Sequence, residues 1–123
     1  MKTILLVDDE SGIRESLSIR LKNSGYNVLT AKDGIDGLKK ARSSNPDLII
    51  LDLMLPKMDG YKVARLLKFD QRYSHIPILI LSARGQDVDK AMGKSAGADD
   101  FVIKPFNAER LLSRISRMLN SHG

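Results

Sequence analysis

Cysteine and tryptophan are both absent from this chain of 123 residues. The first absence excludes disulfides, thiol nucleophiles, and cysteine-held zinc or iron–sulfur centres. A chain of this length buries enough apolar surface to fold without such staples. Aromatic residues make up only 5%, which weighs against a nucleic-acid surface built on base stacking. No apolar run approaches the ~18 residues of a membrane-spanning helix. The opening Met1-Lys2-Thr3 leads straight into Ile4-Leu5-Leu6-Val7 and then Asp8-Asp9-Glu10. That is too short and too acidic for a secretory signal, so a cytoplasmic protein without a membrane partner is expected. Repeats and low-complexity stretches are missing too. The expectation is one domain over residues 1–120 with a flexible tail at 121–123.

Apolar residues (42%) and charged residues (28%) are present in globular proportions. The charge balance is 20 basic against 15 acidic residues, a formal +5. This raises the question of a polyanion partner. The basic residues are scattered, and Lys39-Lys40 is the only adjacent pair. A nucleic-acid footprint needs them clustered on one face. No direct, specific nucleic-acid binding is therefore expected, and the surplus charge reads as a surface property suited to acidic protein partners. The acids are concentrated instead. Asp8, Asp9, Glu10, Asp52 and Asp59 fall in two short motifs.

Short apolar runs recur along the chain: Ile4–Val7, Val28–Ala31, Leu48–Leu51, Ile78–Leu81 and Phe101–Ile103. The first, third and fourth do not alternate with polar residues, as expected of strands buried on both faces of a parallel sheet. Helical patterns lie between them. Ile13, Leu17 and Leu21 mark one helix, with Gly25 as its stop. Ile35, Leu38 and Ala41 mark a second, ended before Asn45-Pro46. Val63, Leu66 and Leu67 mark a third, and Val88, Ala91 and Met92 a fourth. Leu111, Leu112, Ile115, Met118 and Leu119 mark a fifth. Five alternations predict a doubly wound, five-stranded parallel α/β sheet.

In such a sheet, chemistry gathers at the carboxyl ends of the strands. Asp8 and Asp9 follow the first strand, and Asp52 the third. Ser82 follows the fourth, and Lys104-Pro105-Phe106 the fifth. Taken singly, each has a plain structural reading: Asp8-Asp9 as a helix cap, Asp52 and Ser82 as turn residues, Lys104 as a solvated lysine. Taken together, three carboxylates, a hydroxyl and an ammonium converge. Clustered carboxylates stay ionised only beside a cation. An all-oxygen ligand set suits Mg²⁺ or Mn²⁺ rather than zinc. A cation, a lysine and a hydroxyl around one Asp suit phosphoryl transfer to that carboxylate.

These motifs resemble the response-regulator receiver domain of two-component signalling. The resemblance rests on Asp8-Asp9, Asp52 with Leu55-Pro56 and Met58-Asp59-Gly60, Ser82-Ala83, Gly97-Ala98-Asp99 and Lys104-Pro105-Phe106. It covers essentially the whole chain, in order. It implies a (βα)5, flavodoxin-like fold with strand order 2-1-3-4-5. It implies Asp52 as phosphoacceptor. Asp9 would be the main acidic metal ligand and Asp8 its partner, with the backbone carbonyl of Met54 as a further ligand. Ser82 would hydrogen-bond the phosphoryl group, and Lys104 would pair with one of its oxygens. Phe101 would be the aromatic switch. Met54 and Arg84 would tune phosphoryl lifetime. The Lys104–Pro105 peptide is cis in many relatives of this kind.

The implied partners are a sensor histidine kinase or histidine phosphotransfer protein and a downstream protein target or effector domain. His75 and His122 read as solvent residues, so the phosphodonor histidine belongs to another protein. The output surface would be the fourth predicted helix, the fifth strand and the fifth predicted helix, in a monomer or a phosphorylation-dependent homodimer. Two other readings compete. An aspartyl phosphatase would carry a second Asp two residues past its nucleophile, where position 10 is Glu. A DNA-binding module would need a helix-turn-helix or wing beyond the last helix.

Overall fold

The computed structural model describes residues 1–82 and 96–122, with side chains through Asn120. Arg84 and the fourth helical pattern (Val88, Ala91, Met92), with its part of the expected output surface, lie outside the described residues. The strands are β1 (Thr3–Val7), β2 (Asn27–Ala31), β3 (Leu48–Asp52), β4 (Ile78–Ser82) and β5 (Asp100–Ile103). The helices are α1 (Ser11–Asn23), α2 (Gly34–Ser44), α3 (Gly60–Lys68) and the C-terminal α4 (Ala108–His122). Helix α4 corresponds to the fifth helical pattern and takes in residues 121 and 122, which the sequence reading assigned to a tail. All strands pair in parallel, in the order β2-β1-β3-β4-β5.

Each strand outruns its apolar run by one residue. Asp52 and Ser82 are thus the last strand residues rather than the first loop residues. The unbroken apolar runs follow from two-sided burial, because successive strand side chains point to opposite faces. Leu5, Val7, Ile49, Leu51 and Ile80 face one layer, packed by Leu38 and Ala41 of α2 and Val63, Ala64 and Leu67 of α3. Ile4, Leu6, Leu48, Ile50, Leu79 and Leu81 face the other, packed by Leu17 and Leu21 of α1 and Leu111, Ile115, Met118 and Leu119 of α4. The edge strands are less covered, and this explains the weaker apolar run of β2.

Three apolar markers of the helical patterns lie outside the core: Ile13 is only half-buried, and two more are on the surface. Ile35 and Leu66 are exposed. Helix α2 instead packs through Gly34, Gly37, Leu38 and Ala41. A Cβ on Gly34 would lie 1.8 Å from the Met58 carbonyl oxygen, and one on Gly37 would lie 2.9 Å from Val7. Helix starts are set by side chains that accept orphan N–H groups. The Asp33 carboxylate accepts from the Asp36 N–H at 2.8 Å, and Asp59 accepts from the Lys62 N–H at 3.0 Å. Asp59 is thereby accounted for as a cap.

Candidate functional site

Register brings the strand ends together. Val7 of β1 pairs with Leu51 of β3, so the residues that follow them, Asp8 and Asp52, are neighbours. Ser82 pairs with Ile103, so Lys104 follows directly beside it, and its N–H donates to the Ser82 carbonyl at 2.6 Å. Asp8, Asp52 and Ser82 are all buried. Beneath Asp52, Gly60 lets α3 approach the strand. A Cβ there would lie 2.4 Å from the Asp52 carbonyl oxygen.

Lys104 is the hub. Its ammonium lies 3.0 Å from Asp8 Oδ2, 3.4 Å from Asp52 Oδ2 and 3.5 Å from Glu10 Oε1. Asp8 is held on several sides. Its Oδ1 accepts from the Glu10 N–H at 2.9 Å, and its carbonyl accepts from Arg14 Nη1 at 2.8 Å. Asp52 Oδ1 accepts a long bond, 3.4 Å, from the Met54 N–H. The peptide bond Lys104–Pro105 is cis. Phe101 is half-buried against the layer that contains α2 and α3.

Carboxylate oxygens of Asp8, Glu10 and Asp52 lie within 4.8 Å of one another. Three carboxylates against one ammonium leave a net negative site. Burial and the neighbouring Asp8 charge raise the Asp52 pKa from 3.8 to about 6, against the pull of Lys104. Burial works against the Lys104 cation, but its hydrogen bond to Asp8 and the surrounding carboxylates outweigh this and hold its pKa above the ordinary value. An anionic, all-oxygen donor set of this kind fits a hard divalent cation, and these three residues can hold one.

The structure therefore brings together Asp8, Asp52, Ser82 and Lys104. Asp9 is exposed and outside the carboxylate cluster, and the Met54 side chain is exposed. Glu10 takes part where the sequence reading assigned it no role. The chain bends at Asp9, and the Glu10 N–H bonds back to Asp8 Oδ1, so this turn brings the Glu10 side chain to the cluster and leaves Asp9 outside; no periodicity in the sequence signals it. Asp99, the last residue of Gly97-Ala98-Asp99, serves elsewhere. It pairs with Lys68 at 2.7 Å and accepts from the Ile78 N–H at 2.8 Å. Among the described residues, no helix is long and apolar enough to cross a membrane.

A doubly wound parallel sheet with a lysine-bridged acidic cluster at its strand ends defines the class of protein. Residues 4–116 match the response regulator receiver domain, and the chain belongs to that family, a family of signalling domains. The chain is 47% identical over 119 residues to the DNA-binding dual master transcriptional regulator RpaA of Synechocystis, covering 97% of this chain and 49% of that protein. It is 46% identical to the alkaline phosphatase synthesis transcriptional regulatory protein PhoP of Bacillus subtilis, covering 96% of this chain and 48% of that protein. The chain thus spans about half the length of these relatives. Among solved structures it is similar to a receiver domain protein from Methanospirillum hungatei (TM-score 0.93, 27% identity, 99% of this chain and 96% of that one). It is also similar to the chemotaxis response regulator CheY4 of Vibrio cholerae (TM-score 0.90, 37% identity, 96% and 98%).

These relatives correct one expectation. The absence of specific nucleic-acid binding was read from scattered basic residues and from the lack of a DNA-reading motif. A relative covering nearly all of this chain is a DNA-binding regulator, and others are transcriptional regulators. The expectation is overturned. Charge placement within one domain says nothing about DNA contacts made by another part of a longer protein.

Proposed function

We propose that this chain is a phosphorylation-activated switch in which Asp52 accepts a phosphoryl group from a phosphohistidine on a sensor kinase or phosphotransfer protein. The observation that carries the reading is the buried Asp52 carboxylate at 3.4 Å from a lysine ammonium that also binds Asp8. An Asp52 oxygen attacks the phosphorus in line, the P–N bond to the donor imidazole breaks, and the ring nitrogen leaves with the bonding pair. Asp8 and Asp52 would hold Mg²⁺ (or Mn²⁺), with Glu10 of the same cluster close by; Asp9 and the Met54 carbonyl would complete the ligand set that the family resemblance implies. The ion, when bound, supplies positive charge to the phosphoryl oxygens. Lys104 neutralises a further oxygen, and the Ser82 hydroxyl donates to the group once transferred. The chain catalyses only its own phosphorylation and slow dephosphorylation.

Residues 1–120 act as one receiver domain in the cytoplasm. Phosphorylation turns Phe101 inward and changes the surface around β5 and α4, which favours a homodimer or an effector. By likeness to its transcriptional-regulator relatives, the output is control of a DNA-binding partner or domain. Met54 and Arg84 set the phosphoryl lifetime. Acetyl phosphate with Mg²⁺ tests the core of the reading. Mass gain of one phosphoryl group on Asp52, abolished in Asp52→Ala and by chelator, is the expected result. Labelling that persists in Asp52→Ala overturns it.

A further inference from the structure

An open groove of about 1060 Å³ borders α2 and α3, and none of Asp8, Glu10, Asp52 or Lys104 lines it. Its apolar part is unusual for a surface. Phe69 is 73% exposed and Leu66 is 37% exposed. Helix α3 packs on the sheet through Val63, Ala64 and Leu67, so Leu66 and Phe69 are left on the side turned from the core. Around them stand Arg42, Lys62, Arg65 and Arg72.

The acids of the groove are already engaged. Asp59 caps α3 through the Lys62 N–H. Asp70 accepts a fork from Arg72, Nε to Oδ1 at 3.1 Å and Nη2 to Oδ2 at 2.8 Å. The guanidinium of Arg72 also lies 5.2 Å from the Tyr73 ring centroid. Arg42, Lys62 and Arg65 form no ion pair among the described residues. The result is an exposed aromatic and a leucine framed by Lys62 and Arg65, with Arg42 beside them sharing the charge of Asp70 with Arg72. Exposed apolar surface rimmed by charge marks an interaction site, and complementary charge selects its partner. A nucleic-acid duplex would satisfy the cations but leave the apolar floor without a partner, and a single strand could stack a base on Phe69 but would offer Leu66 no apolar side chain. A basic segment would be repelled.

We infer that this groove docks an acidic amphipathic helix of a partner protein, with Leu and Phe side chains on Leu66 and Phe69 and flanking Glu or Asp on Lys62, Arg65 and Arg42. The inference does not depend on chemistry at Asp52.

The probe is a labelled synthetic helix of about 16 residues, with Leu and Phe spaced three and four apart and Glu on the flanks. It is titrated into the full chain and read by anisotropy and by backbone amide shifts. Shifts at residues 62–72 and at Arg42 are expected, with affinity that falls as salt rises. Affinity drops about tenfold in Phe69→Ala and in Arg65→Glu, and stays within about twofold in the charge control Lys22→Glu on α1. Unchanged thermal melts show that the variants are folded. Binding that Phe69→Ala and Arg65→Glu leave intact overturns the inference, as does no binding at all. A single-stranded oligonucleotide that shifts the same residues independently of Phe69 reassigns the groove to nucleic acid. A concentration-dependent dimer abolished by Phe69→Ala reassigns it to a second copy. Either outcome also overturns the peptide assignment.

Discussion

Replacing Asp52 by Asn in the metal-free protein removes one of three crowded carboxylates while keeping the side chain's shape. The ionised Asp52 carboxylate is disfavoured by burial and by Asp8, and its pKa rises from 3.8 to about 6. A raised carboxyl pKa means that the native state holds its proton longer than the unfolded chain does. Below the unfolded value both states are protonated and the group costs nothing. Stability is then lost as pH rises from about 4 to about 6, and the full penalty applies above that window. Two pKa units correspond to about 3 kcal/mol at most, or about 10 °C in melting temperature for a domain of this size. Asn, which cannot ionise, escapes the penalty. Thermal melts in chelator should show Asp52→Asn and wild type converging near pH 4 and separating to a plateau above about pH 6, with the variant more stable. Added Mg²⁺ should then raise the wild-type melting temperature more than that of the variant, because a divalent ion relieves the same repulsion. A variant less stable than wild type above about pH 6, or a difference that does not change with pH, would refute the reasoning.

Other predictions are more local. Gly60→Ala forces a Cβ to within 2.4 Å of the Asp52 carbonyl oxygen; chemical denaturation should show a loss of about 2–4 kcal/mol, with slower acetyl-phosphate labelling. Gly12→Ala is its control, since nothing lies within 4 Å, and a gain of up to about 0.5 kcal/mol is expected. Lys68 donates to the Ile76 and Ser74 carbonyls at 2.6 and 3.2 Å and pairs with Asp99 at 2.7 Å, with its side chain 10% exposed. Lys68→Met should cost about 2–3 kcal/mol, and a double-mutant cycle with Asp99→Asn should show coupling. The Met54→Asn, Arg84→Glu double variant should shorten the acyl-phosphate half-life measured after removal of the donor; an unchanged half-life would count against the lifetime role of this pair.

Some of the molecule was legible in advance, and the failures are informative. Unbroken runs such as Ile4–Val7 announce burial on both faces, because no solvent side exists to demand a polar residue. Ile35 and Leu66 misled for the opposite reason. The buried face of α2 is marked by Gly34 and Gly37, which permit close approach to Met58 and Val7, and hydrophobicity does not register a glycine as core. Leu66 is apolar because the α3 surface is apolar there, and this is the surface on which the acidic-helix inference rests. Asp59 was grouped with the site acids by its motif, yet its carboxylate caps α3. The correction over nucleic acid has a different origin. A domain's own charge pattern carries no information about what a covalently linked neighbour binds.

Sequence alone determined the alternation of strands and helices and the type of residue at each strand end. Both follow from local periodicity and from the rule that isolated buried charge is too costly to keep without use. Tertiary structure decided which strand ends meet. The order β2-β1-β3-β4-β5 sets Asp8 beside Asp52, and Lys104 bonds to an Asp 96 positions earlier. It also decided that Glu10 rather than Asp9 joins the carboxylate cluster. A separation of a few ångströms between charges from distant segments is fixed by strand register and helix packing, and neither is encoded in the residues of any one segment.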